Sequence, residues 1–207
     1  RPDVFWKTNF KTNKLIIPPG FNIKSLPDSI DQKTFPAAYY PYLVNDVSAA
    51  KAFLDQKCRD KKVNSSNVIL IGAGQGATVG NMWLFSQYRL CREKAPRQWD
   101  EPEGKDVAAT VWLTMSPQLE GVNIPTVRYL EELEKTFKVP MLFVYGAEDQ
   151  NAERETLTWL QGVMPGYKLL GDADSKGHPV KALKLTRDFS IKTKLAGSKL
   201  LNADLPT

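Results

Sequence analysis

The stretch Val68-Ile-Leu-Ile-Gly-Ala-Gly-Gln-Gly-Ala-Thr-Val-Gly80 decides how the chain is read. Val68 to Ile71 is a short β-branched run, the pattern of a fully buried strand in a parallel sheet. Gly72, Gly74 and Gly76 follow at alternate positions. From Thr78 to Leu90 the apolar residues Val79, Met82, Trp83 and Leu90 recur at helical spacing. Strand, tight glycine turn and helix together form a site-building unit, because the turn brings backbone N–H groups to the carboxyl end of a strand.

Outward from that unit the same alternation continues. Thr110 to Met115 reads as a second buried strand, closed by Ser116-Pro117. Pro140 to Tyr145 reads as a third, ending in Gly146-Ala147-Glu148-Asp149. Tyr167 to Leu170 reads as a fourth, short strand, followed by a turn-rich loop from Gly171 to Pro179. Between them lie helical patterns: one with Val127, Leu130, Leu133 and Phe137 after Pro125, and one from Asn151 to about Gln161. Before the glycine unit, Asn45 or Asp46 caps a helix over roughly 46–58, with Val47, Ala50, Phe53 and Leu54 on its inner face. A final basic, amphipathic helix is expected over roughly 183–195. Strands alternating with helices predict an α/β fold, with a mostly parallel sheet and helices on both faces.

Residues 1–42 have no such periodicity. They carry Pro2, Pro18, Pro19, Pro27, Pro36 and Pro41 among many aromatics. Their aromatic content is too high for a disordered tail. They are expected to pack as an irregular segment on the domain formed by residues 43–207, giving a single domain overall.

The 207 residues are enough for one sizeable core. Hydrophobic content of 42% and charged content of 25% are those of a globular protein. No apolar run approaches the roughly 20 residues that cross a bilayer. Net charge is +5, but the basic residues are spread and do not alternate with aromatics, so no nucleic-acid partner is expected. Two cysteines, Cys58 and Cys91, make no disulfide framework, and the single histidine argues against zinc. No cofactor is implied. The sequence opens on Arg1, not Met, which is expected of a processed chain or part of a longer one, so a targeting segment cannot be read.

Chemistry concentrates at three loci. Gly74 sits in the first turn, Asp149 directly follows the third strand, and His178 lies in the loop after the fourth. In this order the chain resembles the α/β-hydrolase superfamily. Asn67-Val-Ile-Leu-Ile-Gly-Ala-Gly-Gln-Gly76 is similar to the nucleophile elbow and its strand. Pro140-Met-Leu-Phe-Val-Tyr-Gly-Ala-Glu-Asp149 is similar to the acid-bearing strand, and Gly177-His178 to the histidine loop. The resemblance covers about residues 36–195. It implies a remnant triad: Gly74 in the nucleophile seat, Asp149 as acid and His178 as base, with the Gln75 backbone N–H as an oxyanion donor. Glycine has no side chain to attack with. The family's early strands and its His-Gly oxyanion loop are not found, so one sheet edge lacks neighbours.

Gly72-Ala73-Gly74-Gln75-Gly76-Ala77 also satisfies G-x-G-x-x-A, the dinucleotide-binding fingerprint. That reading needs an acid at the end of a second strand about 20 residues on, and residues 88–100 contain no strand pattern. A third reading is that the glycines only allow close helix–strand packing. Ser116, at a strand end, is a further hydroxyl near the site, without a base beside it.

The sequence is read as a non-catalytic, α/β-hydrolase-like binding or assembly module. A protein partner or self-association is expected to complete its sheet. The alternatives are an active enzyme on this fold, esterase-like or a lyase or transferase using His178 and Asp149, and a dinucleotide-binding domain. No small-molecule ligand is identified.

Overall fold

The computed structural model describes residues 35–93, 103–163 and 186–202. In chain order the strands are β1 (Val68–Ala73), β2 (Val107–Leu113), β3 (Gln118–Leu119), β4 (Val122–Asn123), β5 (Met141–Gly146) and β6 (Thr186–Ile191). The helices are α1 (Leu43–Arg59), α2 (Gln75–Glu93), α3 (Thr126–Lys135) and α4 (Gln150–Val163). Short 3-10 turns cover Ala37–Tyr42, Glu103–Asp106 and Gly197–Asn202.

Four strands form one sheet in the order β1-β2-β5-β6, with every pairing parallel. β3 and β4 make a separate antiparallel hairpin. The α/β class and the parallel sheet expected from the sequence are both present. The order runs steadily in one direction. With right-handed crossovers, each connecting helix then falls on the same face. Ala77 of α2, Leu130 of α3 and Leu160 of α4 accordingly share one core with Trp112, Met141 and Phe143. The opposite face holds Leu113, Val144 and Ile191, covered by Leu200 of the last 3-10 turn.

Cover on that second face is partial. Ile69 and Ile71 of β1 are 60% and 59% exposed, and Phe189 of β6 is 47% exposed. β1 is therefore half-buried, not the fully buried strand its residues suggest. A Val-Ile-Leu-Ile run fits a strand covered on one face as well as on two. Burying a large apolar side chain yields roughly 1.5–3 kcal/mol, so three exposed ones leave a sizeable gain unrealised. β1 is also an edge strand among the described residues.

Four further expectations shift. β2 begins at Val107, before the expected Thr110, and a bulge lies between its first two pairs: Val68 faces Val107, and Ile69 faces Ala109. The bulge turns Val107 onto the helix face, where it packs with Trp83, Leu84 and Leu133. α1 begins at Leu43, continuing the preceding 3-10 turn, so neither Asn45 nor Asp46 caps it. Its inner face carries Val44 and Val47 with a buried Lys51, and leaves Phe53 and Leu54 outside. The helix expected over 183–195 is largely the strand β6, which alternates Asp188 inward with Phe189 outward. The expected strand at Tyr167–Leu170 lies outside the described residues.

Candidate functional site

The glycine turn joins β1 to α2. Gly74 adopts φ +54°, a left-handed conformation that glycine takes without steric cost. Its N–H donates to the Leu113 carbonyl at 2.9 Å. Its carbonyl accepts from Ala77 N and Ser116 N, each at 3.2 Å. The turn is thus tied both to its own helix and to the end of the neighbouring strand. A Cβ added at Gly74 would have nothing within 4 Å, so the seat opens onto free space. Gln75 is the first residue of α2, and the first four N–H groups of a helix have no partner within it.

Gly72 serves a different purpose. A Cβ there would lie 2.5 Å from the Cα of Ala77, so glycine is needed for the helix to approach the strand. Thr78, fully buried on the next turn, donates its hydroxyl to the Ser116 carbonyl.

Asp149 follows β5, which lies two strands from β1 in the sheet. Two strand spacings amount to about 9.6 Å. The structure thus brings Gly74 and Asp149 to the same, carboxyl edge of the sheet. Asp149 Oδ1 accepts the Asn151 N–H at 3.2 Å, which makes Asp149 the cap of α4. His178 lies outside the described residues. In chain order it precedes β6, and the segment that follows this fourth strand is Lys192 to Ala196.

That segment folds back over the strand ends. Thr193 and Leu195 direct carbonyls at Gly146, where an added Cβ would meet them at 2.5 and 2.7 Å. Glu148 N donates to Thr193 O at 3.1 Å. Gly197, with φ +57°, reaches the elbow: a Cβ there would lie 3.7 Å from Gly74 N. The Ser116 hydroxyl is used locally. It donates to Gln118 O at 2.9 Å and accepts from Gln118 N at 3.2 Å, closing the turn into β3.

Sequence reasoning missed several notable residues. Thr114, at the end of the central strand β2, has φ +43°, rare for a β-branched side chain. Its hydroxyl is buried without a partner among the described residues. No sequence signal marks it. Asp188 is 3% exposed on β6 and accepts from the Tyr145 hydroxyl at 3.4 Å. Lys51, 4% exposed, contacts Asp55 and Asp106 at 2.6 Å each. Burial alone would lower the Lys51 ammonium, but the two carboxylates outweigh it and hold it above its ordinary range. Burial would raise Asp55, yet hydrogen bonds from Lys51 and Ser65 bring it below the usual carboxylate range. Cys58 is a free thiol in the same neighbourhood, held below the ordinary thiol range by hydrogen bonds from the Ser65 N–H and hydroxyl.

A groove of about 290 Å³ lies away from the elbow, between Pro41 and Val44, Met82 and Arg89 of α2, and Tyr129 of α3. Among the described residues no group of three or more His, Cys, Asp or Glu is placed to hold a metal ion. No described helix is long and apolar enough to cross a membrane. Comparison of the chain with models of known protein families, with curated proteins and with solved structures gives no match.

Proposed function

We propose that this chain is a non-catalytic, α/β-hydrolase-like module that works by binding or assembly, with a protein partner or a second copy adding to the sheet at β1, its edge strand among the described residues. The observation that carries the reading is Gly74. It holds the left-handed turn between strand and helix, and it offers no atom that can attack a substrate. Two further observations support it. Asp149 does the work of a helix cap, and the Ser116 hydroxyl is engaged in a local turn. β1 is an edge strand among the described residues, and an edge strand is a template for strand addition.

A dinucleotide site has one observation in its favour, the close approach of Gly72 to Ala77. It also requires an acid at the end of the next strand. β2 ends at Leu113, with no acid before Glu120. The enzyme reading relies on Asp149 and His178 acting without a nucleophile of the protein's own. A proton acceptor alone gives a modest part of a hydrolytic rate enhancement.

The test is treatment of the intact protein with a fluorophosphonate probe, followed by peptide mapping. The module reading predicts no labelled serine. A stoichiometric adduct on any serine, lost on heat denaturation, contradicts it.

A further inference from the structure

The groove on the helix layer is built largely by one stripe of α2. Met82, Phe85, Ser86 and Arg89 recur at i, i+3, i+4 and i+7, so they share a face of that helix. Val44, in the first turn of α1, and Tyr129 of α3 flank the stripe. Phe85 and Tyr129 stack, with ring centroids 4.3 Å apart and planes inclined by 23°, and form one flat aromatic block. The Ser86 hydroxyl donates to the Trp83 carbonyl at 2.7 Å, which spends its proton inside the helix. The Arg89 guanidinium is the one charged group among the lining residues.

We propose that this groove binds a small apolar monocarboxylate, with its hydrocarbon body among Met82, Phe85 and Tyr129 and its carboxylate on Arg89. Size, charge and a gradient of burial carry the assignment. The groove holds about 290 Å³. At roughly 30 Å³ per heavy atom, the share of a water molecule in the liquid, that is room for about ten heavy atoms, the size of octanoate. A cation with no acid beside it in the lining selects an anion. The guanidinium has five N–H donors in a planar fork, so it can take both oxygens of a carboxylate and keep donors for other bonds. One guanidinium also matches a single negative charge, whereas a phosphate monoester brings nearly two. Phe85 is buried, Met82 and Tyr129 are half-buried, and Arg89 is exposed. The apolar body of such a ligand therefore lies inward while its head group stays at the wet rim, and no charge is buried unpaired. No residue of the glycine turn or of β1 lines the groove, so the proposal stands or falls separately from the reading of Gly74.

The test uses the full chain carrying methyl-labelled methionine, titrated with octanoate at neutral pH and followed by NMR. Octan-1-ol and octylamine, of the same chain length, are the comparison ligands. Met82 lines the groove, whereas Met115 and Met141 are each 2% exposed in the core. Met82→Leu assigns the signal. The expected result is a saturable shift of the Met82 methyl with octanoate, with Met115 and Met141 unmoved, and binding of octan-1-ol and octylamine weaker by about tenfold. Arg89→Met keeps the stem and removes the charge. It is expected to weaken octanoate binding by about tenfold, the low end for a hydrogen bond to a charged group, and to leave octan-1-ol binding unchanged. No saturable shift at Met82, octan-1-ol bound as tightly as octanoate, or octanoate affinity unaltered in Arg89→Met each overturns the proposal. The comparison of ligands is made on the wild-type protein, so it decides the matter even where Arg89→Met does not fold.

Discussion

Gly72 and Ala77 touch backbone to backbone: a Cβ on Gly72 would sit 2.5 Å from the Ala77 Cα and 2.9 Å from its nitrogen. The contact fixes how closely α2 lies on β1. Neither partner can yield as a flexible side chain would. Gly72→Ala is expected to destabilise the fold by about 3 kcal/mol, the upper part of the overpacking range. Chemical denaturation of the two proteins measures it. Gly74→Ala, two residues on, meets no neighbour and is expected to cost only about 1 kcal/mol, from its φ of +54°.

Thr114 is strained and its hydroxyl lacks a partner among the described residues. Strain of this kind costs on the order of 1–3 kcal/mol. Glycine removes it, at about 0.5–1 kcal/mol in unfolded-chain entropy. Thr114→Gly is therefore expected to raise stability by about 1 kcal/mol, read as an increase in the denaturation midpoint at unchanged slope. A clear decrease would show that the side chain contributes packing that outweighs its strain.

Lys51 ties α1 to the 3-10 turn before β2 through Asp106, and to its own helix through Asp55. Lys51→Met keeps most of the stem and is expected to cost about 1–2 kcal/mol near neutral pH, since both carboxylates regain water. The sign of the pH dependence follows from the two shifts. Asp55 is depressed, so its contribution is full above the ordinary carboxylate value of about 3.9 and disappears as pH falls through its lower folded value. Lys51 is raised, so its contribution is full below about 10.4 and disappears as pH rises through its higher folded value. The stability difference between wild type and Lys51→Met should be flat between those limits and shrink beyond both. Denaturation midpoints at a series of pH values check this.

The glycine unit and strands β1, β2 and β5 were legible because their signals are local. Val68–Ile71, Thr110–Leu113 and Met141–Tyr145 are short apolar runs bounded by turn residues, and the parallel sheet follows from the helices between them. β6 was not legible. Its Asp188 is buried against the core side while Phe189 faces outward, so hydropathy alternation points the wrong way. The inner face of α1 was misread for the same reason: a buried Lys51 occupies a position where the pattern asks for an apolar residue, and Phe53 lies outside under Lys57, 5.1 Å from its ring. At the site, Gly74, Gln75 and Asp149 were legible as strand-end residues. Thr114 and Gly197 were not, because their roles come from backbone conformation and from a loop brought back over the strand ends.

The central claim is that this elbow does not catalyse. It is tested most directly by release of p-nitrophenol from p-nitrophenyl acetate by wild type, Gly74→Ser and Gly74→Ser/His178→Ala. Serine at position 74 has room, and the turn should tolerate it at about 1 kcal/mol. Among the described residues no strand precedes β1 to carry a second oxyanion donor, and loss of one such donor typically lowers the rate by about 10²–10³. The account predicts no turnover by wild type above the buffer rate, and at most slow acylation of Gly74→Ser that His178→Ala diminishes. Sustained, saturable turnover by the wild-type protein would contradict it.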